Sequence, residues 1–271
     1  MSSIRPWILA ARPKTLFATL APIIVGISLS YKISNTIDWC LTSLIILSAV
    51  LLQIGSNYAN DAYDYLKGAD SQSRKGPKRM VQDGVLSANT VLNVMYIIFT
   101  LSVLIGYFLV KIGGWPIIVI GLSSIIFAII YTGGPYPLAY NGLGEITVFI
   151  FFGIIATVGT VYLQIVNSGF YFNLFNLEIF VAASSVGLLN TAILVVNNLR
   201  DIESDKLADK KTLAVKFGHQ FACYEFSLLL IINCLCYIWL ALKWSNYSFI
   251  IAAILIAIPS IYLVIKIFNF N

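Results

Sequence analysis

The run CLTSLIILSAVLLQIGSNYAN, residues 40–60, passes without a break into Asp61-Ala62-Tyr63-Asp64. The first 21 residues carry no charged side chain, and about 20 mostly apolar residues suffice for a helix to cross a bilayer. Two carboxylates three residues apart then stand at its end. Working outward, the same pattern returns at residues 178–200, where an apolar run closes on Asn197-Asn198-Leu199-Arg200-Asp201 and continues to Asp205. Of the 271 residues, 59% are hydrophobic and 11% charged, against about 25% charged in a soluble domain. That balance excludes a soluble globular protein and a disordered chain, which needs few apolar residues and many charges.

Apolar runs punctuated by charge predict eight helices, at about 15–31, 40–60, 89–110, 116–132, 144–166, 178–200, 219–242 and 247–268. In lipid the backbone must satisfy itself, and the alternating strands of a barrel are absent from the pattern. The expected fold class is an all-α polytopic membrane protein, one domain over 1–271. Placing the basic residues on alternating sides puts Lys32, Lys111 and Lys243 on one side and the other fourteen opposite, which predicts cytoplasmic termini. No basic stretch is long enough for a nucleic-acid arm, and the lipid bilayer is the expected surrounding partner. Residues 1–14 read as an interfacial lead-in. The four cysteines read as small buried hydrophobes.

Eight of the twelve acidic residues fall in two segments, Asp61, Asp64, Asp70 and Asp83 after the second span and Asp201, Glu203, Asp205 and Asp209 after the sixth. Four spans separate them, so both face one side. Each contains Asn-x-x-x-Asp at a helix end followed by a basic loop, which suggests two four-helix repeats, about 1–135 and 136–271. Residues four apart share a helical face, so Asn60 pairs with Asp64 and Asp201 with Asp205. Repelling carboxylates at a membrane edge call for a cation or a substrate, and oxygen donors select a hard ion such as Mg²⁺ completed by substrate phosphates. Lys67, Lys75, Lys78, Arg79, Arg200, Lys210 and Lys211 are the candidate phosphate contacts. Either loop alone reads more readily as a solvated face that sets topology; the matched pair favours a site.

The stretch Tyr131-Thr132-Gly133-Gly134-Pro135-Tyr136-Pro137 breaks the fourth helix, and Gly142-Leu143-Gly144-Glu145 opens the fifth. This connection carries no Lys or Arg and brings Tyr131, Tyr136, Tyr140 and Glu145 toward the acidic face, either as a plain turn or as a substrate lining. His219, the sole histidine, reads as a helix-end residue.

These residues resemble the UbiA superfamily of intramembrane aromatic prenyltransferases. Asn60 to Asp70 is similar to its first aspartate-rich motif and Asn197 to Asp205 to its second. Gly76-Pro77-Lys78-Arg79, the 131–140 run, Gly142 to Glu145 and Thr212-Leu213-Ala214 resemble the branch that prenylates 1,4-dihydroxy-2-naphthoate in menaquinone synthesis, a similarity running from Ala11 to about Gly218. The resemblance implies a UbiA-like ring of helices and transfer from a polyprenyl diphosphate to an aromatic acceptor. Asn60, Asp64, Asp201 and Asp205 would hold Mg²⁺, with Asp61 behind them. Asp64, Asp201 and Asp205 would be catalytic, and Lys67, Arg79, Tyr131, Tyr136, Tyr140, Glu145, Asn197, Arg200 and Lys211 would contact substrate. It implies a multi-pass protein of the cytoplasmic membrane in a bacterium, with the active face cytoplasmic. The family has nine spans where eight are read here, so a ring-closing helix is expected to be missing. Asp209 stands where the family has glycine and is expected to add a ligand or disturb the loop. Acceptors such as 4-hydroxybenzoate or homogentisate share both motifs. A secondary transporter also pairs repeats with membrane carboxylates, but near mid-membrane.

Overall fold

The computed structural model describes residues 4–69, 76, 79–171, 173 and 176–269. Asp70, Arg74, Lys75, Pro77 and Lys78 of the first basic loop lie outside the described residues. Among the described residues the structure is helical throughout: α1 Arg5–Ala11, α2 Leu16–Ser34, α3 Trp39–Leu66, α4 Ala88–Gly113, α5 Trp115–Ile130, α6 Gly144–Phe149, α7 Ala156–Asn167, α8 Leu177–Arg200, α9 Ile202–Leu207, α10 Leu213–Trp244 and α11 Ser248–Phe268. A wide π turn, Ile150–Ile155, joins α6 to α7. Among the described residues seven helical stretches are long and apolar enough to cross a membrane; the remaining expected span, α5, has only 16 residues.

The helix starts are written in the sequence. Asp38, Ser87, Asn176 and Thr212 precede α3, α4, α8 and α10, and each side-chain oxygen accepts from the backbone N–H three residues on, at 2.9–3.2 Å. Their ends use left-handed residues: Asn35 (φ 53°) closes α2 and Ser245 (φ 49°) closes α10. Gly114, at φ 66°, both ends α4 and starts α5, a one-residue link that Pro116 in the first turn of α5 completes. Gly218 (φ 86°) breaks α10 just before His219, where the sequence placed the start of that span.

The helices pack as α3 against α4 and α5, and α8 against α10, with α2 laid on α7 and α8 between them. Without a hydrophobic force between helices in lipid, close approach decides. A Cβ on Gly153 would lie 2.5 Å from the Gly187 Cα, so only glycine admits the π turn onto α8. The apolar window of α8 is 61% buried, that of α11 only 11%. Large apolar side chains such as Phe17, Leu104, Leu242 and Ile261 are exposed outward, as a lipid-facing surface requires. Of the cysteines, Cys223 is buried and Cys234 and Cys236 are partly so, but Cys40 is exposed, because the first turn of α3 turns it outward beside Trp39.

Asp38, on the face opposite the acidic motifs, is more than a cap. Its Oδ2 accepts from Asn167 (3.0 Å), and Gln164 bridges its backbone N–H and carbonyl at 3.1 Å each. The Leu41 N–H, chiefly, holds its carboxyl below the usual carboxylate range. Asp38→Ala should therefore lower stability by about 1 kcal/mol, the usual cost of an N-cap. Thermal unfolding in detergent should show the shift while the activity of the folded fraction is unchanged.

Candidate active site

A cavity of about 760 Å³ runs through the bundle, lined by α2 to α8 and neighbouring connections and by no residue of α10 or α11. Its body is apolar, with Leu52, Ile117, Phe127, Phe151, Phe152 and Ile193 among the walls. Its other end is polar: Arg12, Asn60, Asp64, Arg79, Tyr131, Thr132, Asn197, Asn198, Arg200, Asp201 and Lys210 meet there. Both acidic motifs therefore reach one chamber.

On α3, Asn60 and Asp64 share the inward face as the four-residue spacing requires. Asp64 is buried; its Oδ1 accepts from the Tyr140 hydroxyl at 2.8 Å, and its Oδ2 lies 2.5 Å from Arg79 Nη2. Arg79 Nη1 also donates to the Asn60 carbonyl at 2.6 Å, and Thr132 Oγ1 donates to Asn60 Oδ1 at 3.0 Å. Asp61 points the other way, buried, with Oδ2 accepting from the Met80 N–H at 3.2 Å. It ties the incoming loop to α3 and does not line the cavity.

In the second motif the helix does not run on. Asp201, at φ −97° and ψ 9°, separates α8 from α9, while the Asp205 N–H still donates to the Asp201 carbonyl at 2.8 Å. Arg200 grips Asp201 with two parallel bonds, Nε to Oδ1 at 2.8 Å and Nη2 to Oδ2 at 2.7 Å. Asp205 is buried with Lys210 Nζ 3.5 Å from Oδ1, and it stands behind Asp201 and outside the lining. Asn197 lines the chamber one turn before Asp201.

The connection between α5 and α6 divides. Tyr131 lines the chamber, its hydroxyl beside Gly144. Tyr140 is buried against Asp64, with Lys67 and Lys210 over its ring at 5.4 and 5.6 Å. Glu145 is buried and held by Asn198 Nδ2, which donates to its Oε1 at 2.8 Å. Tyr136 is not brought in: it sits on the outer side of the turn that follows Gly134 (φ 74°) and is 63% exposed. Lys67 is exposed too and donates to the Gly134 carbonyl at 2.8 Å, and Lys211 reaches only the exposed Asp209 at 3.4 Å. Asp209 is no ligand; it occupies a left-handed position (φ 52°) with an open side chain.

Three residues in the chamber had no role in the sequence reading. Arg12, counted there only as a topology charge, lines the polar end. Thr132 orients Asn60. Asn198 sat inside the quoted motif, but no spacing distinguished it from Asn197. Gln53 and Asn57, polar residues within an apolar span, were the readable signal for a further network: Asn57 Nδ2 donates to Thr15 Oγ1 (2.9 Å) and the Ala11 carbonyl (2.8 Å), tying α3 to the N-terminal segment.

The UbiA prenyltransferase family profile matches residues 19–269. The chain belongs to this family. A Haemophilus influenzae protein named 1,4-dihydroxy-2-naphthoate octaprenyltransferase is 37% identical over 270 residues, covering 96% of this chain and 85% of its own. The Escherichia coli protein of that name is 37% identical over 242 residues, 87% of this chain and 76% of its own. A UbiA homolog from Archaeoglobus fulgidus, solved bound to GPP and Mg²⁺, superposes with a TM-score of 0.70 over 96% of this chain and 86% of that one, at 17% identity, which establishes the UbiA fold.

The donor set fits a hard divalent cation. Asn60, Asp64 and Asp201 offer only oxygens toward the chamber. Among the described residues no three His, Cys, Asp or Glu side chains cluster closely enough to cage an ion, so a metal here must share its shell with substrate oxygens, as Mg²⁺ habitually does.

Two outcomes follow from this geometry. Arg79→Ala should destabilise the protein by roughly 3–5 kcal/mol, since it strands the buried Asp64 carboxylate without its charge partner; Asp64→Asn in the same background should recover part of that loss in detergent unfolding. Asp209→Gly should raise stability by roughly 1 kcal/mol by relieving the left-handed backbone, seen as a higher unfolding temperature without loss of activity.

Proposed function

We propose that the protein transfers a polyprenyl group from a polyprenyl diphosphate to 1,4-dihydroxy-2-naphthoate, with loss of the carboxyl group and pyrophosphate, in menaquinone synthesis. The observation that carries this reading is the one chamber whose polar end joins both Asn/Asp motifs and whose body is an apolar tunnel. The relatives' shared name supplies the acceptor. The carboxylates stand at the ends of α3 and α8, where a diphosphate head belongs, and away from mid-span, where a transporter's coupling site would lie. The pseudo-repeats 1–135 and 136–271 and a cytoplasmic active face are part of the same proposal, supported by the matched helix ends and the lopsided basic residues.

Asn60, Asp64 and Asp201 would hold Mg²⁺, which would supply the positive charge that a diphosphate and its leaving pyrophosphate need, with Asp205 behind them against Lys210. Arg79, Arg200 and Lys210 add fixed positive charge around the same oxygens. The allylic C–O bond breaks with its electron pair leaving on pyrophosphate. A ring π pair of the naphthoate forms the new C–C bond at the carbon bearing the carboxylate, and that carboxylate departs as CO₂, its bonding pair restoring the aromatic ring. Phe127, Phe151 and Phe152 keep water from the cation, and aromatic faces stabilise it. Tyr131 offers a hydroxyl to the same chamber.

Purified protein should lose transfer activity in EDTA and regain it with Mg²⁺, and should prefer dihydroxynaphthoate to 4-hydroxybenzoate. Asp64→Ala or Asp201→Ala should cut turnover on the order of 100-fold or more with the protein still inserted, whereas Tyr136→Ala should leave both substrate constants alone. Radiolabelled prenyl transfer across an acceptor panel measures all of these. Full activity after chelation, or preference for 4-hydroxybenzoate, would overturn the corresponding part.

A further inference from the structure

Asn198 is 7% exposed, yet it lines the chamber. Its Nδ2 donates to Glu145 Oε1 at 2.8 Å, which commits the amide's donor end to the protein. Its Oδ1 is therefore fixed as the remaining acceptor, and no described protein group donates to it. Behind it, Glu145 Oε2 is buried without a hydrogen-bond partner. A carboxylate bonded to one end of an amide polarises it and strengthens the oxygen at the other end.

The charges around the chamber separate two regions. Arg79, Arg200 and Lys210 gather on the Asp64 and Asp201 side, where an anion belongs. Among the described residues Glu145 makes no ion pair with any lysine or arginine, so its side offers no cation to an anionic group and suits a neutral donor. Gly144, adjoining Glu145, lines the chamber, and the Tyr131 hydroxyl packs against it so closely that a Cβ there would come within 3.2 Å.

We propose that Asn198, oriented by Glu145, is the hydrogen-bond acceptor for a hydroxyl group of the aromatic substrate, and that this contact selects hydroxylated rings. The inference rests on the prenyl-transfer reading above and adds to it the residue that recognises the ring. Asn198 is the contacting group; Glu145 is a positioning residue. The acceptor's carboxylate then faces away from Glu145, toward the cationic side.

The test compares binding of 1,4-dihydroxy-2-naphthoate, 1-hydroxy-2-naphthoate and 4-hydroxy-2-naphthoate by fluorescence titration on full-length protein in lipid nanodiscs. A binding readout keeps the loss of ring reactivity out of the comparison. Wild type should bind one monohydroxy analogue about tenfold more weakly, the worth of one neutral hydrogen bond. Asn198→Ala should bind the dihydroxy compound about tenfold more weakly and no longer distinguish it from that analogue. Glu145→Gln keeps the volume but lets the amide pair turn over, and should weaken the dihydroxy compound several-fold, leaving geranyl diphosphate binding with Mg²⁺ unchanged. Should Asn198→Ala fail to fold, Glu145→Gln alone decides. The proposal is overturned if the analogue penalty persists in Asn198→Ala, or if the Glu145→Gln loss falls equally on the diphosphate. Wild-type transfer to 4-hydroxybenzoate but not to the naphthoate would instead sink the menaquinone reading, and the same variants would then be titrated with 4-hydroxybenzoate and benzoate.

Discussion

The structure turns on one buried carboxylate. Asp64 ends a membrane-crossing helix, and burying a charge there costs several kcal/mol unless its partners are in place. Arg79 and Tyr140 are those partners, and they come from two different connections, one after α3 and one after α5. Satisfying a single side chain thus folds two loops over the polar end of the chamber. Arg79 goes further by taking the Asn60 carbonyl, so the motif's two oxygen donors are fixed by one guanidinium. A lysine could not do this, since a point charge lacks the fork that reaches both groups.

Asp201 solves the same problem with different geometry. Its guanidinium comes from the preceding residue, which is possible because the helix breaks at Asp201 and frees the Arg200 side chain to fold alongside. The charge partner of the first motif comes from a distant loop, whereas the guanidinium that meets Asp201 is its own chain neighbour.

Spacing and chemistry made much of this readable. The apolar runs located the helices, the Ser, Thr, Asp and Asn residues before them marked the starts, and the four-residue spacing put Asn60 and Asp64 on one face. What the sequence concealed depends on tertiary closure. Tyr136 and Tyr140 are indistinguishable as aromatic residues of one turn, and only the backbone path after Gly134 sends the first outward and the second to Asp64. Extending the helical rule past Arg200 placed Asp201 and Asp205 side by side, while the break in the helix puts one at the chamber and the other behind it. Asn198 gained its meaning from Glu145, 53 residues away, a pairing to which helical periodicity is blind.

The brevity of α5 has its own consequence. Sixteen residues rise about 24 Å against a hydrocarbon layer of about 30 Å, and tilting only deepens the shortfall. A helix this short cannot carry the turn that follows it, Tyr131 to Pro137, as far as its longer neighbours reach.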